Sequence, residues 1–367
     1  GRPATEITIG QARIDPLKGR LLETTRSIWN GTGGLGPEGP HLFKRGDWYY
    51  LTIAEGGTEY GHMQTIARSP SATGPFVGGP NNPVLTHRSS ASSIHAVGHA
   101  DLTQGPDGSW YGVAHGIRPQ GYHKFHVLGR ETFLYPIVWD NEGWPLFGHN
   151  SMLPEEQVQI AGSPLQAFPN EFEDDASTAD WPLAWNWLRN PDLQNYCRNG
   201  DGRFTLHGCS DPLTNNGCPT WIGTRQRAHA CRAHSILRIQ LSDTDTEAGL
   251  LVWQNLQAHC IIGVRRTGDQ QHLFTRRHIN SLQIEEDGPE VSADSELTLV
   301  IEASALEYAL GYLDTDKRFI ALSRIEAKFL STEVTGRFTG VYFALHARGK
   351  ATIDCSHFSI TAASKDS

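Results

Sequence analysis

The chain has 367 residues, enough for two domains with sizeable cores. Its formal net charge of −9, with no run of five or six like charges, argues against a nucleic-acid-binding protein. No stretch approaches 18 consecutive apolar residues, which excludes a helical membrane span, and 38 Gly, 20 Pro and 34 aromatics (10 Trp, 10 Tyr, 14 Phe) point to an all-β, turn-rich fold.

In chain order, Ile7-Thr8-Ile9 reads as a first strand. Asn30-Gly31-Thr32 is an N-glycosylation sequon and also a turn signal, and the turn is the preferred reading. Gly31–Leu35 is too flexible for a strand. It leads into Gly36-Pro37-Glu38-Gly39-Pro40-His41 and a strand over His41–Phe43. Glu38 thus stands at a strand entrance. It is either a turn glutamate or a proton donor, and a donor needs a pKa raised by partial burial and a neighbouring carboxylate. A strand over Trp48–Ala54 follows the turn Lys44–Asp47, and one over Trp110–His115 follows Pro106–Ser109. The turn Asp140–Trp144 resembles both. This weak repeat suggests propeller blades, with ordinary sandwich hairpins as the alternative.

Between the hairpins, Gly98-His99-Ala100-Asp101 places a His and an Asp on one strand face. They would orient a sugar hydroxyl, a water or a metal, or form only a structural hydrogen bond. Arg130, in Leu128-Gly129-Arg130-Glu131-Thr132, would donate to a sugar or pair with Glu131.

The composition shifts between Met152 and Pro169, which places a linker at 156–170 between domains at 1–155 and 171–367. In the second domain strands are expected over Gly202–Leu206, Thr220–Gly223, Ser235–Leu241, Ala248–Gln254, Cys260–Val264, Leu297–Glu302, Ala309–Leu313, Phe319–Ser323 and Gly340–His346. That is a β-sandwich pattern. All six cysteines (197, 209, 218, 231, 260, 355) fall here without a CxxC pair. A zinc site is therefore not expected; disulfides in an oxidising compartment or buried free thiols both remain. There is no phosphate-binding Gly-rich loop and no GxSxG elbow.

Taken together, Glu38-Gly39-Pro40-His41, Trp48-Tyr49-Tyr50-Leu51, Ala54-Glu55-Gly56-Gly57-Thr58, Ala67-Arg68-Ser69, Thr73-Gly74-Pro75-Phe76, Asn82-Pro83-Val84-Leu85-Thr86, Gly98-His99-Ala100-Asp101 and Leu128-Gly129-Arg130-Glu131-Thr132 resemble the later blades of glycoside hydrolase family 43. Trp185–Pro191, Ile222–Gln226 and Ala248–Val252 resemble the β-sandwich of its β-xylosidase-type members. The resemblance implies an all-β fold: part of a five-bladed β-propeller, three later blades, followed by a C-terminal β-sandwich. It implies an inverting glycosidase in which Glu38 is the general acid, His99 lies at the pocket bottom, Arg130 contacts the sugar and Phe338 lends an aromatic. The family's base Asp and its second, pKa-tuning Asp lie on the first two blades. Neither maps onto Asp15, Asp47 or Asp101, so an N-terminal fragment carrying the base is the expected partner.

The expected substrate is a terminal α-L-arabinofuranosyl group on arabinoxylan, with a β-D-xylosyl group of a xylooligosaccharide as the alternative. Gly36, where some members have Trp, is expected to widen the pocket mouth toward branched polymers. A non-catalytic carbohydrate-binding protein is the reading of another class. No cofactor is expected to be required. A structural calcium near His99 and secretion from the cell are further expectations.

Overall fold

The computed structural model describes residues 7–155, 157–162, 169–293 and 295–362. Two compact units emerge, one from residues 1–119 and 130–166, the other from 120–129 and 167–367.

In the first unit, antiparallel hairpins stack into two blade-like sheets. One runs Glu38–Arg45, Trp48–Glu55, Met63–Ser69 and Val77–Gly78, with Leu85–Thr86 also on Met63–Ser69. The other runs His95–Gln104, Trp110–Ile117, Glu131–Trp139 and Pro145–Phe147. The expected third blade is represented among the described residues by two two-stranded pieces. Ile9–Gln11 pairs with Arg26–Trp29, and Ile14–Asp15 with Arg20–Leu21.

Each Trp-Tyr dipeptide opens the second strand of its sheet, so that repeat is structural. The turn Asp140–Trp144 instead joins the third and fourth strands, and is not equivalent to the other two. Asp140 Oδ1 accepts from the Glu142 and Trp144 amides at 2.9 and 2.8 Å and so shapes that turn. The turn is fastened to the other sheet. The Arg68 guanidinium lies 4.4 Å from the Trp48 ring and 4.2 Å from the Trp144 ring, and donates to the Glu142 carbonyl. Tyr50, Ile66, Val97, Tyr135 and Phe147 form the apolar core between the two sheets.

The second unit is a two-sheet sandwich. One sheet orders Tyr196–Arg198, Phe204–His207, Ala351–Ala362, Cys231–Leu241, Glu296–Ala303, Glu307–Leu313 and Phe319–Glu326, with Phe172–Asp174 also on Ala351–Ala362. The facing sheet orders Asn186–Trp187, Thr220–Arg225, Tyr342–Arg348, Glu247–Asn255, Ala258–Thr267, Gln270–Ile279 and Leu282–Glu290. Their inner faces bury a continuous apolar core that includes Leu237, Leu250, Ile262, Leu299, Phe343 and Phe358.

One expectation changes. Residues 120–129 belong to the sandwich unit rather than to a 1–155 domain: Phe125, Val127 and Leu128 enter its core, and the Val341 amide donates to the Val127 carbonyl at 2.8 Å. The linker expected at 156–170 includes residues 156 and 163–168, which lie outside the described residues. The cysteine alternatives resolve to six free thiols, so disulfides supply no argument for an oxidising compartment. Burial pushes the Cys231, Cys260 and Cys355 thiols up to about 12, as expected of inert core cysteines.

Candidate active site

Three of the four residues picked from sequence, Glu38, His99 and Arg130, lie in the first unit. Phe338 lies in the second, exposed, in the segment before Tyr342–Arg348.

Glu38 is the first residue of its strand and stands opposite Ala54. The register then slips before His41, and Gly39 takes φ +58° in the slip. Only glycine works there for a second reason, since a Cβ would come within 2.2 Å of His99 Nε2. The imidazole of His99 therefore rests directly on the backbone beside Glu38. The Glu38 carboxylate is exposed and makes no hydrogen bond or ion pair among the described residues. The partial burial asked of a proton donor is thus not supplied by the described residues.

His99 sits at a double irregularity. The pairing of its strand slips on both sides of Gly98, and His99 itself adopts φ +51°. Such a conformation costs roughly 1–3 kcal/mol and persists where surroundings over-determine it. The over-determining group is Gln64, from the neighbouring sheet. Its amide is buried and grips the backbone of Ala100, donating to the carbonyl at 3.1 Å and accepting from the amide at 2.7 Å. Asp101 is exposed, as His99 is, but its Oδ1 lies 3.2 Å from His41 Nδ1. His41, not His99, is its partner, so the expected His–Asp pair does not form.

Arg130 donates to Thr58 Oγ1 at 3.3 Å. The alternative pairing with Glu131 does not occur, because Glu131 is taken in a two-bond fork by Arg118 at 2.8 and 2.7 Å. That fork raises the Arg118 pKa. Glu38 and Arg130 both act electrostatically on His62, and Arg130 also on His115, so the four groups share one neighbourhood.

Three residues of this neighbourhood were not picked from sequence. His62 precedes the strand Met63–Ser69, and His115 lies in Trp110–Ile117 opposite Gly98. Their rings stack with centroids 4.9 Å apart, and His115 is 5.8 Å from His99. Desolvation by burial lowers the pKa of His62, and lowers that of His115 to about 3. Nothing in sequence spacing marks these two, since only the packing of one sheet on the other brings them together.

Glu55 is the third. It is buried and accepts from the Thr32 amide (2.9 and 3.0 Å), the Gly34 amide (2.9 Å), Thr32 Oγ1 (3.1 Å) and Thr65 Oγ1 (2.5 Å). The segment before Glu38, which sequence reads as flexible, is thereby tied to the sheet. The signal was present: a lone Glu ending the apolar run Leu51–Ala54, followed by Gly-Gly.

Residues 2–145 match the model described as glycosyl hydrolases family 43, and residues 173–359 the beta xylosidase C-terminal concanavalin A-like domain. The chain is 34% identical over 339 residues to a non-reducing end alpha-L-arabinofuranosidase, BoGH43B, of Bacteroides ovatus, covering 92% of this chain and 64% of that protein. In structure it superimposes on Bacteroides ovatus xyloglucan PUL GH43B with TM-score 0.88, 32% identity and coverage of 96% and 71%. The chain belongs to glycoside hydrolase family 43. A xylosidase/arabinosidase of Butyrivibrio fibrisolvens is 28% identical, over 97% of this chain and 70% of that one. The family 43 architecture, propeller blades followed by a β-sandwich, is that of the two units described above. The chain spans just under two thirds of the length of the arabinofuranosidase.

Proposed function

We propose that the protein is an inverting, exo-acting glycosidase that removes terminal α-L-arabinofuranosyl groups, with Glu38 as the general acid. The carrying observation is the placement of Glu38. Its carboxylate is exposed and unpaired among the described residues, and the bulge that follows it sets the adjacent Gly39 backbone against His99, in the neighbourhood that contains Arg130.

Glu38 delivers its proton to the leaving oxygen as the glycosidic bond breaks. A base carboxylate on the opposite face takes a proton from the attacking water. The two carboxyls of such a pair stand about 6.5–9.5 Å apart to admit that water. None of Asp15, Asp47 and Asp101 stands in a suitable motif, and Asp101 is engaged by His41. We assign the base to sequence outside these 367 residues, on the same polypeptide or on an accompanying fragment. Arg130 and His99 contact the sugar.

The name of the Bacteroides ovatus relative supports the arabinofuranosyl preference, and the xylosidase names among the relatives keep terminal β-D-xylosyl groups as the second reading. Arabinoxylan is the proposed polymer, because a Cβ at Gly36 would meet no atom within 4 Å, which agrees with an open mouth. Action on a polymer is also the basis for proposing secretion.

The test is Glu38→Gln in the full-length enzyme. Loss of a general acid costs roughly 10²–10⁴-fold. That loss is expected on arabinoxylan, and a smaller one on aryl arabinofuranosides whose leaving groups need little protonation. NMR of the first-formed product should show inverted anomeric configuration. Full activity of Glu38→Gln on arabinoxylan would remove Glu38 from the role. Sugar binding without turnover by the parent would favour a binding module.

A further inference from the structure

Lys44, Arg45, Gln104, Ser109, Trp110 and Trp139 line an open cavity of about 800 Å³ within the first unit. It lies where the turn after Arg45, the turn before Trp110 and the end of the strand Glu131–Trp139 come together. Glu38 and Arg45 are the first and last residues of one eight-residue strand, so the cavity stands roughly 23 Å from Glu38 along that strand. Arg130 likewise precedes the strand whose last residue is Trp139. The cavity is therefore at the opposite end of the blades from the candidate active site.

Its walls are cationic and aromatic. The Arg45 guanidinium lies 4.0 Å from the Trp139 ring, and the Lys44 ammonium 5.4 Å from the Tyr49 ring. Neither cation has a hydrogen bond or an ion pair among the described residues. Arg68 stands close by, since a Cβ at Gly143 would lie 3.4 Å from Arg68 Nη1 and 4.0 Å from Arg45 Nη1. Glu142 gives Arg68 only its backbone carbonyl. The nearby carboxylates are otherwise engaged: Asp140 accepts the amides of its own turn, and Asp107 the Ser109 amide and hydroxyl at 3.0 and 2.9 Å. Like charges gathered without a counter-charge repel, and an anion placed among them is attracted by all three. Arg45 is half-buried, and a planar guanidinium matches a carboxylate in a two-bond fork.

The remaining groups suit a sugar rather than a bare anion. Trp110 is partly exposed and gives the cavity an apolar surface. Gln104 uses its NH2 on the Gly108 carbonyl at 2.9 Å, and Ser109 its hydroxyl proton on Asp107, so Gln104 Oε1 and Ser109 Oγ are left to accept from hydroxyls. Trp139 Nε1 is a buried donor without a partner among the described residues, which a hydroxyl or a water in the cavity would satisfy. We propose that this cavity is a second carbohydrate site, taking a hexuronate unit of an acidic polysaccharide with its carboxylate on Arg45 and Lys44 and its hydroxyls on Gln104 and Ser109. Bound there, the protein stays on the polymer between encounters at Glu38. The site does not depend on the role given to Glu38.

Affinity electrophoresis of the full-length protein in gels containing glucuronoxylan tests this without reference to turnover. Hydrogen bonds to a charged group are each worth about tenfold or more, so glucuronoxylan should bind at least about 10-fold more tightly than the same polymer with its carboxyls reduced to alcohols. Arg45→Gln should lose that difference and keep the parent's turnover of an aryl arabinofuranoside. If Arg45→Gln does not fold, the exposed Lys44→Gln decides in its place. Sodium glucuronate should release the protein from the polymer where sodium phosphate at the same concentration does not. The site is refuted if the reduced polymer binds as tightly as the acidic one, or if Arg45→Gln keeps the parent's affinity. It is refuted equally if aryl turnover falls with Arg45→Gln, which would place the effect at Glu38, or if phosphate competes as well as glucuronate, which would leave a plain anion site.

Discussion

Glu55→Gln isolates the electrostatic tie that holds the segment before Glu38. In the parent, Oε1 receives the Thr32 and Gly34 amides, while Oε2 receives the Thr32 and Thr65 hydroxyls and shares the Thr32 amide. A glutamine keeps its carbonyl toward the two amides and turns its NH2 toward the two hydroxyls, which rotate to accept. The geometry survives and the charge assistance is lost. Hydrogen bonds to charged groups are worth about 1.5–3 kcal/mol and neutral ones about 0.5–1.5, so two amide bonds lose about 2 kcal/mol together. Glu55→Ala leaves both amides without an acceptor, at about 1–3 kcal/mol each, and should cost about 4 kcal/mol. Either loss is tolerable against a typical total of 5–15 kcal/mol, so the defect should be local.

Hydrogen exchange read by mass spectrometry should show faster exchange at 31–36 in both variants, larger in the alanine, with the sandwich unchanged. Turnover should fall with it, because misplacing a catalytic group by about 1 Å costs on the order of 10²-fold. The reasoning fails if the alanine variant exchanges like the parent across 31–36, or if the glutamine variant is the more damaged of the two.

Three further outcomes follow from particular contacts. Asp174 is buried, accepts a two-bond fork from Arg198 at 2.8 Å each, and accepts from Trp185 Nε1 at 2.6 Å. Asp174→Asn strands the Arg198 charge and should destabilise the second unit by about 3–5 kcal/mol in chemical denaturation. Burial acts to raise the Asp174 pKa, but the bonds from Arg198, Trp185 and Ala176 outweigh it and hold the carboxyl below 3.8. Its contribution is therefore present above the unfolded value and lost as pH falls below about 3.8 through the folded pKa, so parent and Asp174→Asn stabilities should converge in acid. Gly36 has φ +59°, so Gly36→Trp would be strained whatever space surrounds it, and polymer turnover alone cannot report on the mouth. Gly36→Ala should cost about 1–2 kcal/mol from backbone strain alone, and an equal Tm for Gly36→Ala and the parent would refute this.

The all-β class and the Trp-Tyr hairpins were legible in sequence, because each rests on local pattern: turn residues and period-two alternation. Glu38, His99 and Arg130 were singled out only through contiguous motifs that resemble those of the family. Three long strands of the sandwich escaped that reading: Gln270–Ile279, Leu282–Glu290 and Ala351–Ala362. Ala351–Ala362 is the longest strand of the sandwich, yet its alternate positions 352, 354 and 356 carry Thr, Asp and Ser, and His follows at 357. It is central to its sheet, and pairing on both edges stabilises a sequence that looks too polar for the place. Leu282–Glu290 carries Glu285, Glu286 and Asp287, which reads as a loop. As the edge strand it neutralises Arg276 and Arg277 on the adjacent strand and Arg265 on the strand beyond, a match that exists only across the sheet.

The same division runs through the site. A contiguous motif could name His99 but could not find its company. His62 and His115 come from separate strands, Gln64 holds the bulge from the neighbouring sheet, and Arg118 removes Glu131 as a partner for Arg130. Local sequence sets which residues turn and which alternate. Which buried nitrogens meet, and which carboxylate is left without a partner, depends on register and on contact between sheets, and those are settled only when the strands pair.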